Sequence, residues 1–262
     1  MKVRLPDQWR GACLACGSTV DLTDEHVISR TVRRQIPLLS KVTETFAGDT
    51  RKPMDVLHMV IADAVCSNCN GGWMGRLESD FVKIIRSNLT DPIAKAFEPG
   101  ELERVAMWAI KTAIWTEVYT TCLGLGAYAP LNNLRWMAKH NSPPPNSRVW
   151  MIAVNSGVKR LAWSQAGGIS DGQGKAIGAL ITFHIGCVGF QVLAFDFFDP
   201  KMDEPHRTTI SIDPPPAFAK AMLEICPGTG TAATWPANLT VVTETIFWEY
   251  AKWHMTVLPP EQ

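Results

Sequence analysis

The chain has 262 residues, 46% of them hydrophobic and 19% charged, with ten Trp and ten Phe. That balance buries a real core and excludes a mainly disordered protein. Lys plus Arg equals Asp plus Glu at 25 each, so the net charge is zero. A protein that coats nucleic acid without specificity is basic overall, so any nucleic-acid contact here must come from a local patch.

The N-terminus, Met1 to Asp7, carries no apolar core of a secretory leader, and a cytoplasmic location is expected. Four of the seven Cys form two C-x-x-C pairs, Cys13/Cys16 and Cys66/Cys69. This is metal spacing rather than disulfide spacing. Two intervening residues let both thiolates reach one ion from a tight turn, and two such turns complete a four-thiolate zinc site. Gly17 permits the positive φ that closes the first knuckle. Cys122, Cys187 and Cys226 stand alone and read as small buried hydrophobes.

Between the knuckles lies Thr23-Asp24-Glu25-His26-Val27-Ile28-Ser29-Arg30. In isolation Glu25-His26 reads as a surface pair at a turn, and the flanking knuckles make a site role the stronger expectation. Ser29 to Gln35 predicts a short helix that carries Arg30, Arg33 and Arg34 at i, i+3 and i+4, on one face. Arginine binds phosphate bidentately, so this face, with Arg76, is a candidate nucleic-acid contact. Its bland alternative is a solvated basic face. Residues 1 to 95 hold 13 basic and 11 acidic side chains, so the patch is local.

After Cys69, Asn70-Gly71-Gly72 opens a helix in which Trp73, Leu77, Phe81 and Ile84 recur at helical spacing. Asn70 suits a helix N-cap. Glu78, two turns on, suits a carboxylate behind the site or an exposed charge. Residues 101 to 140 read as helical. Acids fill the first turn at Glu101 and Glu103, and Val105 to Tyr119 is apolar nearly all round, with only Lys111 and Glu117 charged. Such a helix fills the centre of the core or forms a homodimer seam, and the dimer is slightly preferred.

Pro143-Pro144-Pro145 marks the clearest boundary. Beyond it, Arg148 to Val154 reads as a strand. Ala176 to Phe195 is uncharged and long enough to span a bilayer, but its glycines and β-branched content fit two buried strands turning near Gly186. Thr243 to Val257 fits a helix or a strand equally. The expected organisation is α+β: a zinc domain over 1–95, a helical connector or dimerisation segment over 96–140, and a β-rich region over 148–262.

The pattern C-x-x-C, Glu25-His26, C-x-x-C-Asn70 and then Leu77-Glu78 resembles the HNH endonuclease superfamily. Val65 to Glu78, with the later Trp108-Ala109-Ile110-Lys111-Thr112-Ala113, is similar to a subgroup of bacterial HNH-like proteins. The resemblance implies a ββα-metal finger in a treble clef around structural zinc, and hydrolysis of DNA in bacterial or phage defence, regulated by the C-terminal region; RNA is a further candidate partner. It implies His26 as general base, and Glu25 and Asn70 as ligands of a catalytic Mg²⁺ or Mn²⁺. The imidazole-orienting group should come from the strand before Cys66, where Asp63 is the candidate, with His58 or a backbone carbonyl as substitutes. The second hypothesis is a non-catalytic treble-clef module that binds nucleic acid, protein or a small ligand.

Overall fold

The computed structural model describes residues 2–35, 43–47, 50–54, 59–124, 129–145, 147–155, 161–170, 176–195, 219–228, 230–236, 240–243 and 246–247. The architecture is α+β. A three-stranded sheet near the N-terminus has the order β1 (Lys2–Arg4), β5 (Val60–Cys66), β2 (Leu22–His26), with β1 parallel and β2 antiparallel to β5. Between β2 and β5 lie α1 (Arg30–Arg33) and the hairpin of β3 (Thr43–Ala47) and β4 (Thr50–Met54). The Ser29 hydroxyl caps α1 by accepting from the Val32 N–H (3.3 Å).

After β5 the chain enters α2 (Ser67–Cys69), a wide π-type turn over Asn70–Met74, and α3 (Gly75–Ile85). Leu77, Phe81 and Ile84 of α3 are buried on the apolar stripe their spacing predicted, while Trp73, before α3, is half-buried; Ile85 is buried as well. A short strand β6 (Lys95–Phe97) leads into α4 (Pro99–Cys122). Its start follows from local chemistry. Pro99 needs no donor at the first turn, and Glu98 and Glu101 form a reciprocal capping box.

Every residue of α4 from Val105 to Thr120 is buried within the single chain. Helix α3 lies against it, and strands of the large sheet pack on it as well. The all-round apolarity of α4 is therefore satisfied by its own chain. The core reading holds, and the helix leaves no apolar seam for a second copy.

Helix α5 (Leu131–His140) ends at Asn141 in the left-handed conformation (φ 52°), and the three prolines carry the chain to β7 (Ser147–Asn155). The large sheet has the order β11 (Met222–Cys226), β7, β10 (Val188–Phe195), β9 (Ala176–Ile185), β8 (Leu161–Ser170). The two-residue β13 (Val242–Thr243) adds parallel to β7. The uncharged stretch 176–195 is thus an antiparallel hairpin turning at Gly186, and no helix among the described residues is long and apolar enough to cross a membrane.

Gly186 is required at that turn. Its φ is +58°, and a Cβ there would lie 1.9 Å from the Leu89 carbonyl oxygen. The same carbonyl accepts from the Cys187 N–H (3.1 Å), which fastens the hairpin to the segment after α3. Strand β12 (Ala233–Trp235) pairs with β6 and makes a second tie between the two halves. One apolar core cluster accordingly runs from Val3 to Trp235. Most of Thr243 to Val257 lies outside the described residues; Phe247 is buried.

Candidate functional site

The four knuckle cysteines converge. Their sulfurs all lie within 4.8 Å of one another, and Cys16 Sγ and Cys66 Sγ are 3.6 Å apart. Tetrahedral Zn–S bonds of about 2.3 Å require sulfurs about 3.8 Å apart, so the donor set and its size fit zinc. None of the four is in a disulfide. Burial, with the neighbouring thiols, pushes the Cys69 thiol well above its ordinary range. A bound cation offsets that cost.

Local backbone chemistry places the sulfurs. In the first knuckle the Cys13 N–H donates to Ser18 O (2.7 Å) and the Gly17 N–H to Cys13 O (2.8 Å), with Gly17 at φ +79°. The Leu14 N–H donates to Ala64 O (3.0 Å) and docks this turn on β5. Cys66 ends β5 and Cys69 ends α2, while the Ser67 N–H reaches Asp21 O (2.9 Å). Zinc at this point would join the first knuckle, the sheet and the entry to α3.

Strand β2 starts beside the cluster, where Leu22 pairs with Cys66, and its last residue, His26, pairs with Val60. Four residues of strand put His26 roughly 13 Å further along. Its half-buried imidazole is held below the ordinary histidine range by burial, then by the positive charges of Arg33 and Arg30. Both effects favour the neutral ring. Arg33 is half-buried, while Arg30, Arg34 and Arg76 are exposed. Arg34 caps the C-terminal end of α1 rather than extending it.

Glu25 is only 3% exposed and turns into the core. Its Oε1 lies 3.5 Å from Lys111 Nζ of α4. Lys111 also donates to Glu78 Oε1 of α3 in a short, buried hydrogen bond. Of the two expectations for Glu78, the exposed charge is excluded. Burial raises the Glu25 carboxyl to about 7; Lys111 opposes the rise and Glu78 adds to it. Burial alone would lower Lys111, but the two carboxylates outweigh it and hold the amine above its ordinary value. The group is one ammonium between two carboxylates, contributed by three elements.

Asn70 does not cap a helix with its side chain. Its Nδ2 donates to Thr23 Oγ1 (3.0 Å) and Asp24 O (3.1 Å), and the Thr23 hydroxyl donates in turn to Val65 O (3.0 Å). The amide thus pins β2 where its partner β5 bulges, at Ala62 to Ala64, and Asp63 in that bulge is exposed with φ +51°. The Asp63 N–H meets Asp24 Oδ1 (3.4 Å), and the Asp24 carboxylate pairs with Lys2 (2.8 Å), which holds it below its usual range. Among the described residues nothing hydrogen-bonds the His26 ring. His58 lies outside the described residues.

Of the implied ligands of a catalytic Mg²⁺ or Mn²⁺, Glu25 is already held by Lys111, while the Asn70 hydrogen bonds to β2 use Nδ2 and not Oδ1, the atom that ligates a cation. The arrangement does not fit such an ion as it stands. Sequence reasoning missed Lys111. The signal was present: a lysine inside an otherwise apolar helix is buried only with a partner. The lone cysteines are inert. Cys187 Sγ donates to Thr90 O and Cys226 Sγ to Ser147 O, each at 3.3 Å. Burial raises the Cys122 thiol to about 11 and Cys226 to about 12.

No family model, no curated protein and no solved structure matches this chain.

Proposed function

We propose that the protein is an HNH-type nuclease, a phosphodiester hydrolase on a zinc-anchored treble clef, with DNA as substrate and RNA as the alternative. The observation that carries the reading is the placement of His26 at the end of the strand that leaves the cysteine cluster, followed by α1 with Arg30 and Arg33, whose charges and the burial of the ring favour neutral imidazole. Neutral imidazole takes a proton from water; the resulting hydroxide attacks phosphorus and the P–O bond to the leaving oxygen breaks. The guanidinium groups hold the phosphate and stabilise the charge that grows on its oxygens. Cys13, Cys16, Cys66 and Cys69 hold zinc in a structural role, and unpaired thiols suit a reducing cytoplasm.

The test is incubation of zinc-loaded protein with plasmid DNA and with labelled RNA, in Mg²⁺, in Mn²⁺ and without added divalent ion, beside His26→Ala. Cleavage by the native chain, lost in the variant while zinc content and fold persist, supports the nuclease. A second reading, a binding module without catalysis, is favoured by one observation: the Glu25 carboxylate is engaged by Lys111 inside the protein. Binding of nucleic acid that Arg33→Ala weakens, with no cleavage under any of these conditions, establishes that module instead.

A further inference from the structure

We propose that the Lys111 ammonium is the resident cation of this site, filling the position between Glu25 and Glu78 that a divalent ion would otherwise take. The inference rests on the nuclease reading for its consequence: cleavage at His26 needs no divalent ion on Glu25. Its geometry stands independently. Glu25 comes from β2, one residue before His26, and Glu78 comes from α3. Both carboxylates close on Nζ of Lys111, which α4 delivers.

The side chains of Lys111, Glu25 and Glu78 are 0%, 4% and 11% exposed. A hydrated Mg²⁺ sheds its water reluctantly, and with the ammonium in place the near-complete burial of both carboxylates disfavours its entry. The ammonium also repels a second cation in a medium of low dielectric. Burying one charge uncompensated is far costlier than burying the set, so the three groups persist as a unit.

The alternative explanation, a lysine retained for stability, is weak. A buried ion pair is often no better for stability than apolar residues of the same volume. What the ammonium supplies is position. It holds the Glu25 carboxylate inward, fixes the neighbouring residue His26 on the outward side of the same strand, and keeps α3 and α4 in register there. Lys111 is thus a positioning residue that acts through Glu25.

The test uses the full-length, zinc-loaded chain and Mn²⁺ as probe, followed by electron paramagnetic resonance, with zinc measured in the same samples. The native protein is expected to take up no Mn²⁺ that Glu25→Gln removes. Lys111→Met is expected to gain about one Mn²⁺ per chain, which is lost again when Glu25→Gln is added. A Mn²⁺ site in the native protein that depends on Glu25 overturns the proposal. So does a folded, zinc-loaded Lys111→Met protein that takes up none. Should Lys111→Met fail to fold, the comparison of native protein with Glu25→Gln decides alone. Absence of cleavage by every form leaves these Mn²⁺ outcomes as they are and counts only against the nuclease reading.

Discussion

Phe81 of α3 and Trp108 of α4 stack with ring centroids 3.5 Å apart and planes 10° from parallel. Trp108 also lies 5.9 Å from Phe190 and 6.1 Å from Phe183 on the large sheet. One side chain therefore couples the helix that follows the cysteine cluster to the C-terminal sheet. Trp108 is 1% exposed, so truncation leaves a cavity with three aromatic walls. Trp108→Ala is expected to destabilise the fold by about 3–5 kcal/mol. Thermal unfolding checks this, and a loss under 1 kcal/mol (roughly the cost of a tolerated core swap) would contradict the packing described.

The cysteine cluster yields a metal prediction. Purified protein should contain about one zinc per chain. Cys66→Ser removes a ligand at the junction of β5 and α2, so zinc content should fall and the sheet of β1, β5 and β2 should lose order. Elemental analysis with hydrogen exchange at Leu14 and Ser67, whose amides fasten the two knuckles, reads both effects. Full protection in metal-free protein would show that the sheet folds without the ion.

Much of this was readable from the residues. The paired cysteines announce their cluster because a C-x-x-C turn needs no tertiary information. The apolar run from Val105 to Tyr119 and the hairpin at Gly186 are visible for the same reason, as local periodicity. The Glu25–Lys111–Glu78 group is not legible in that way, because it forms where β2, α3 and α4 happen to cross. Asn70 looked like a cap by position, yet the π-type turn points its amide at β2. The pairing of three-residue β6 with β12 is fixed by tertiary packing and leaves almost no pattern in sequence.

His26 makes a prediction in acid. Its folded pKa lies below the ordinary 6.5, through burial and the charges of Arg33 and Arg30. Cleavage that depends on neutral imidazole should therefore persist as pH falls through 6.5 and fail only below it. The stability sign runs the same way. Between the folded pKa and 6.5 the unfolded chain binds the extra proton, so the native state loses stability as pH falls across that window. Arg33→Ala removes a positive neighbour and should move the His26 midpoint upward while weakening nucleic-acid binding and flattening its salt dependence. Ring resonances followed by NMR titration decide it; a native midpoint at or above 6.5 would contradict the electrostatics.

Glu25 carries the opposite sign. Its folded pKa is raised from 4.5 to about 7, mainly because burial disfavours the charged carboxylate. Below 4.5 both states hold the proton. Between 4.5 and about 7 only the folded state holds it, so stability declines as pH rises through that range and then levels off. Lys111 opposes the rise and Glu78 adds to it, because above about 7 one ammonium is shared by two buried carboxylates. A rise of this size corresponds to roughly 3 kcal/mol lost across the window. Glu25→Gln keeps the shape, leaves Lys111 paired one-to-one with Glu78, and abolishes the titration. Urea unfolding at pH values from 5 to 8 (the window set by the two pKa values) should show the native chain losing stability relative to the variant as pH rises. The His26 contribution is common to both and cancels in the difference. Parallel curves for the two proteins would mean that Glu25 is ionised throughout, with Lys111 compensating it fully.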